Sequence, residues 1–168
     1  MKPTNTLYIV ILLFIGFAQA NAQNSVATTN HGELITNDYP ESKAEIKTVL
    51  DGIFKSIQDR DIDKLLDYHA YGPKFTDFRD GKKRTGSQGN EDHERGLVDA
   101  ISGFDYDMED LLINVFGDVA VVTFHANFRP VIEGEKMQML GQLTLVFVDT
   151  PDSWKITHEH FSPLIAEQ

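Results

Sequence analysis

The sequence predicts an α+β fold in which helices come first and then cover one face of a strongly curved antiparallel sheet. Three observations predict it. Apolar residues recur at helical spacing in the stretches after Ser42, after Asp61 and around Leu97. Four runs rich in β-branched and aromatic residues follow between Met108 and Ser162, joined by short turns. The last run has large side chains on both sides. Strict alternation points Trp154, Ile156, His158, His160 and Ser162 to one face and Lys155, Thr157, Glu159 and Phe161 to the other. Such a strand has one face under helices and the other against a partner or a pocket.

The chain begins with a short basic start, Met1-Lys2. A nearly unbroken apolar run from Leu7 to Ala18 follows, then the small-x-small sites Ala18-Gln19-Ala20 and Ala20-Asn21-Ala22. This pattern predicts a cleaved signal peptide over residues 1–22, cut after Ala20 or Ala22, with an apolar run too short to span a bilayer well. Export follows, to a periplasm or beyond the cell. The absence of cysteine fits: stability must come from the core and not from disulfides. Residues 23–40 read as a polar, flexible lead-in, and residues 41–168 as one domain. The formal charge of −11 argues against nucleic acid and anionic membrane surfaces as partners. Lys82-Lys83-Arg84, between Gly81 and Gly86, reads as a turn tip.

Ser42 and Glu45 form a capping-box pattern, and Ile46, Val49, Leu50, Ile53, Phe54 and Ile57 follow at helical spacing. A helix is predicted from about Ser42 to Ile57, with Gly52 off its apolar stripe. Asp61 caps a shorter helix that buries Ile62, Leu65, Leu66 and His69 and stops at Gly72-Pro73. Phe75-Thr76-Asp77-Phe78 is a short strand, with turns at Asp80-Gly81 and Thr85-Gly86. Asn90 caps a third helix with Leu97, Val98 and Ile101 as its stripe, His93 on the same face, and Gly103 as its stop. The strands are expected at about Met108–Phe116, Val119–Arg129, Met137–Asp149 and Trp154–Ser162. Their short connections demand antiparallel pairing.

The helix pair, the turn at Arg60-Asp61, the Phe-Thr-Asp strand, the third helix and the ending Trp-x-Ile-x-His-x-His-x-Ser together resemble the nuclear transport factor 2-like (NTF2-like) superfamily. That group includes SnoaL-like cyclases, ketosteroid isomerases and the association domain of calcium/calmodulin-dependent protein kinase II. The resemblance runs from about Ala44 to Pro163. It implies a cystatin-like cone of sheet wrapped on about three N-terminal helices, with a pocket at the open end. It also implies that Asp77 falls where the isomerases keep their general base. Ile53 or Phe54 stands near their enolate-stabilising tyrosine, and Leu145 near their second acid. Compared with the association domain, His93 aligns with a pocket histidine, and the pocket arginines fall on Asn127, Leu145 and Phe161. The same comparison turns Thr157, Glu159 and Phe161 toward the cavity. It leaves Trp154, His158 and His160 on an outer face through which such domains pack as homodimers.

Asp77 is the acid/base candidate, because a carboxylate in an apolar wedge, here beside Phe75 and Phe78, is held near neutral pKa by desolvation. His93 is a second proton carrier or a hydrogen-bond donor. His125, Asn127 and Arg129 share one strand face and line either a wet cavity or a polar interface. Tyr68, Tyr71, Phe78, His125, Asn127, Leu145 and Phe161 make up the expected ligand wall. His158 and His160 share a side, as metal ligands or as a core or interface pair; a metal would need His125 or Glu159 as a third ligand. No nucleophile elbow, phosphate-cradling loop or cofactor motif is present. The expected function is binding of a small neutral organic ligand in an apolar pocket. The alternatives are a proton-transfer enzyme using Asp77 and His93, and an oligomeric assembly module with a vestigial cavity.

Overall fold

A computed structural model describes residues 31–164, so the expected leader over residues 1–22 lies outside the described residues. Within the lead-in, His31–Thr36 forms a short helix (α1) where no regular structure was expected. The long helix α2 spans Pro40–Asp59 and carries Ile46, Leu50, Ile53, Phe54 and Ile57 as a buried stripe. Its start differs from the capping-box expectation. Pro40 occupies the first turn, and Tyr39 precedes it in a left-handed conformation without a side-chain cap. Glu45 is thereby free to accept a hydrogen bond from the Trp154 indole at 3.1 Å, which ties the helix to the last strand. Helix α3, Ile62–Asp67, is capped as expected: Asp61 accepts from the Lys64 amide.

Strand β1 covers Thr76–Arg79, and helix α4 covers Ser87–Ala100. Asn90 lies inside α4 and Gly86 stands at its N-cap, so the expected capping role for Asn90 is corrected. Strand β2, Ile101–Phe116, starts directly after α4, which places Gly103 in the strand and not at a helix stop. Val131 packs over Gly103, where a Cβ would meet its methyl at 3.4 Å. Strands β3 (Val119–Ile132), β4 (Glu135–Lys136), β5 (Met139–Asp149) and β6 (Trp154–Pro163) complete the chain.

The sheet order is β1-β6-β5-β3-β2, with β4 folded onto β3. The pairs β2/β3, β3/β5 and β5/β6 are antiparallel, as their short turns require. Strand β1 runs parallel to β6, from Thr76 opposite His158 to Arg79 opposite Phe161. The sheet is therefore mixed and unclosed. No short turn joins β1 to β6, so nothing local fixed that orientation.

Besides a register shift at Ser102, at the start of β2, two bulges bend the sheet. One lies at Asp110, whose φ is +52°, and the other at Thr157, the extra residue between the pairs Ile156–Phe147 and His158–Val146. The second bulge breaks the expected strict alternation. Trp154 and Ile156 are buried together with Phe161, while His160 on the opposite face is exposed. Trp154 therefore belongs to the core and not to the outer face. The core fills the space between α2 and the inner face of the sheet, with Val122, Phe124, Leu145, Phe147 and Ile156 buried against the helix stripe. Each such side chain contributes about 1.5–3 kcal/mol of transfer free energy.

Candidate active site

A cavity of about 80 Å³ opens between α2, α4 and the inner face of the sheet. Its wall is mostly apolar, with Ile53, Phe54, Leu97, Leu145 and Phe161 around it. On the aromatic side Phe54 stacks on Tyr106 with centroids 4.3 Å apart and leans on Phe128 at 5.6 Å. One corner is polar: His69, Arg79, Glu94 and Glu159 all border the cavity.

Four elements supply that corner. His69 stands just after α3, where Ala70 N–H donates to Ile156 C=O and Ile156 N–H donates to Tyr68 C=O, which locks the segment to β6. Arg79 ends β1, directly opposite Phe161. Glu94 lies on the buried stripe of α4 with Asn90 and Val98, four residues from each. Glu159 faces inward because the Thr157 bulge reverses the parity of β6.

Glu159 accepts three hydrogen bonds: from His69 Nε2 at 3.1 Å, Arg79 Nη2 at 3.1 Å and Asn90 Nδ2 at 2.8 Å. Burial alone would raise its pKa. The bond and charge of His69, with Arg79 and Asn90, outweigh burial and hold it down at about 2. His69 Nδ1 donates to the Leu65 carbonyl at 3.0 Å, so both ring nitrogens act as donors and the ring is an imidazolium. Burial opposes that charge, but Glu159 and then Glu94 raise the His69 pKa above its ordinary value. Glu94 is the opposite case. Its nearest charge is Arg79 at 3.5 Å. Burial first, and the Glu159 charge second, push its carboxyl up to about 7. Of the two carboxyls, Glu159 is the fixed anion and Glu94 is the one that trades a proton near neutral pH.

Behind this corner Tyr71 stacks on the His69 ring at 5.0 Å and donates its hydroxyl to Asn90 Oδ1 at 2.7 Å. Burial, and then the charge of Glu94, raise the Tyr71 pKa, so the phenol stays protonated.

The residues expected from the sequence divide into three groups. Leu145 and Phe161 line the cavity. Asp77 and His93 come together, but in an adjoining polar cleft on the far side of Arg79. Asp77 is buried, and it has Arg79 at 3.6 Å and the Thr85 hydroxyl at 3.4 Å in place of the apolar wedge expected from Phe75 and Phe78. His93 is open to solvent on one side. Partial desolvation, and then the Arg79 charge, hold its pKa below the ordinary value.

The remaining expected residues are not cavity wall. Phe78 is 42 % exposed on the outer face, its ring about 6 Å from those of both His158 and His160. His125 and Asn127 alternate with the buried Phe124 and Ala126, which places them on the outer face too, with His125 beside Gln142. The polar row on β3 is therefore a surface, because the inward positions are taken by apolar side chains. Tyr68 lies on Gly52, where a Cβ would come within 2.2 Å of its hydroxyl; it packs on α2 and does not reach the cavity. Tyr71 supports the site from behind. Sequence reasoning passed over Arg79, Asn90 and Glu94 as site residues, although Asn90, Glu94 and Val98 do form an i, i+4 stripe, and it turned Glu159 toward the cavity only through the association-domain resemblance.

A profile of the SnoaL-like domain matches residues 46–166. The sequence matches none of the curated proteins. Among solved structures, a candidate dehydratase of the NTF2-like family from Streptomyces avermitilis is 20% identical, with a TM-score of 0.68 over 76% of this chain and 99% of its own. A candidate scytalone dehydratase from Novosphingobium aromaticivorans is 12% identical, with a TM-score of 0.64 over 73% of this chain and 84% of its own. A candidate calcium/calmodulin-dependent protein kinase II association domain from Xanthomonas campestris is 16% identical, with a TM-score of 0.62 over 73% and 88%. At these identities the likeness carries the fold and not the activity. The neighbours share the helix-and-curved-sheet architecture of NTF2-like structures, and the profile spans most of the chain, so the chain belongs to the SnoaL-like domain family.

Proposed function

We propose that the cavity holds a small organic molecule against its apolar wall and moves a proton on it, in a reaction of the lyase or isomerase type. The observation that carries this reading is Glu94, a carboxyl held at about 7 in the polar corner of a mostly apolar cavity. Ionised, Glu94 takes a proton from the carbon next to a carbonyl. The positive charges of Arg79 and His69 stabilise the negative charge that develops on the carbonyl oxygen. In a dehydration the carbonyl re-forms, the neighbouring C–O bond breaks, and the hydroxide leaves as water with the proton that Glu94 returns. In an isomerisation Glu94 returns that proton to the next carbon but one.

Two of the solved neighbours carry dehydratase names, in line with the lyase arm. The volume of about 80 Å³ is below the roughly 150 Å³ that holds benzene, so the cavity takes only a few heavy atoms of the substrate. Asp77 and His93 have no proton-transfer role in this reading, because they border the neighbouring cleft.

The test is hydrogen–deuterium exchange at the α-carbon of a panel of small ketones, followed by NMR. The protein accelerates exchange of at least one of them, and Glu94→Gln lowers that rate by about 10²–10⁴. Equal rates with and without the Glu94 carboxyl would overturn the assignment. A homodimer through the outer sheet face belongs to the same reading, since that face exposes Phe78 between two histidines, and so does export, which rests on the leader pattern over residues 1–22. Light scattering that finds only monomers at micromolar concentration removes the dimer.

A further inference from the structure

We propose that the cleft on the far side of Arg79 binds a small oxyanion that carries its own hydroxyl, such as a protonated phosphate or a hydroxycarboxylate. This second site does not rest on the cavity reading. Arg79 borders both spaces, and the cleft of about 130 Å³ is otherwise lined by Asp77, Lys82, Lys83, Thr85, Gly89 and His93.

The local fold builds the site. The Asp80-Gly81 turn, with both φ angles positive and Lys82 N–H bonded to Arg79 C=O, folds the chain after β1 back on itself. Asp77 and Thr85 then exchange both backbone hydrogen bonds, at 3.1 and 3.0 Å. The returning segment carries Lys82 and Lys83 to the cleft opposite the first turns of α4. Lys82, Lys83 and Arg79 bring three fixed positive charges to one spot on a chain of formal charge −11. Asp77 in the cleft and Asp80 at the turn oppose them, and Arg79 is paired with Glu159 and Glu94 on its other side, so Lys82 and Lys83 are the cations left for a ligand. These two exposed ammonium groups are what draws a small anion to the cleft.

Asp77 sets the finer requirement. It is only 4 % exposed, and its Oδ2 faces Thr85 Oγ1 and Arg79. Its Oδ1 has no hydrogen-bond partner among the described residues, and neither does Arg79 Nε. A buried carboxylate oxygen needs a donor. A bare anion placed there would be repelled, whereas an anion with a hydroxyl donates to Asp77 and still presents its charge to the lysines. His93, whose pKa is held down first by desolvation and then by the Arg79 charge, adds a ring nitrogen at the edge of the same cleft.

Two probe pairs of similar shape isolate that hydroxyl at pH 6. Inorganic phosphate carries one and sulfate does not; glycolate carries one and acetate does not. Calorimetric titration of the full chain with all four probes is expected to give at least one hydroxyl-bearing probe binding about tenfold or more tighter than its partner. The pair that discriminates identifies the source of the oxyanion. Asp77→Asn, which supplies a donor in place of an acceptor, is expected to abolish the preference. Lys82→Ala with Lys83→Ala, both exposed and needed for no fold contact, is expected to weaken binding of every probe. Equal affinity within both pairs means an adventitious ion only and overturns the proposal. So does the absence of binding by all four probes at millimolar concentration, or binding that the double lysine variant leaves unchanged.

Discussion

At the scale of single residues the site depends on which side chains donate and which accept. Glu159 can only accept, so the Asn90 amide must turn its nitrogen to Glu159 and its oxygen to the Tyr71 hydroxyl. Asn90 is wholly buried, and both of its bonds are within the ordinary range. It touches no substrate in the proposed reaction; it positions Glu159, which in turn positions Arg79 and His69. Asn90→Ala removes one of three donors from a buried carboxylate and strips the phenol of its acceptor. The expected loss in urea unfolding is about 1–3 kcal/mol. Asn90→Asp keeps the shape but adds a carboxyl beside Glu159 and Glu94, so its loss grows between about pH 5 and pH 8. A loss for Asn90→Asp that stays constant over that range would mean that the electrostatic account of this corner is wrong.

At the scale of elements, much of the fold was legible and the site was legible only in part. The α2 stripe, the Asp61 cap and the three antiparallel pairings all follow from local rules, and all appear where the residues put them. What stayed hidden has two causes. Helix α4 turns its polar stripe inward, and a search for apolar spacing centres on Leu97 and brings His93 along. The buried line is Asn90, Glu94 and Val98, a rotation of one residue. In β6 the bulge at Thr157 hides Glu159 from the alternation pattern, and only the resemblance to the association domain turns it toward the cavity. Strict alternation puts Glu159 opposite Trp154 and Ile156, but the extra residue brings all three to the helix side. Neither a bulge nor a buried carboxylate leaves a local mark, because each is stabilised by partners far away in the chain. Gly52 is the converse case. It reads as a helix weakness in sequence, and in the fold it is the gap into which the Tyr68 hydroxyl fits.

At the scale of the whole molecule, the buried charges couple the site to global stability, and the sign can be worked out. Glu159 falls from 4.5 to about 2 on folding, so its contribution is complete above about pH 4.5 and is lost as pH falls toward 2. Glu94 rises from 4.5 to about 7. Its contribution is complete below about pH 4.5 and is lost as pH rises through 7, where the buried carboxyl must ionise. His69 is raised above 6.5, so its contribution is complete below about that pH and is lost as pH climbs past its folded value. A formal charge of −11 adds self-repulsion that also eases in mild acid. The limbs meet near pH 4.5, where the Glu159 gain is complete and the Glu94 loss begins, and thermal unfolding from pH 3 to pH 9 should give the highest Tm at about pH 4–5. The alkaline fall should amount to a few kcal/mol at most, on the order expected for one buried carboxyl and one imidazolium. Glu94→Gln separates the limbs: it removes the carboxyl's share of the fall above about pH 4.5, leaves the share of His69, and leaves the acid side governed by Glu159. A Tm that peaks above pH 8, or an alkaline limb unchanged by Glu94→Gln, would place the titrating proton elsewhere and remove Glu94 from its role in the cavity.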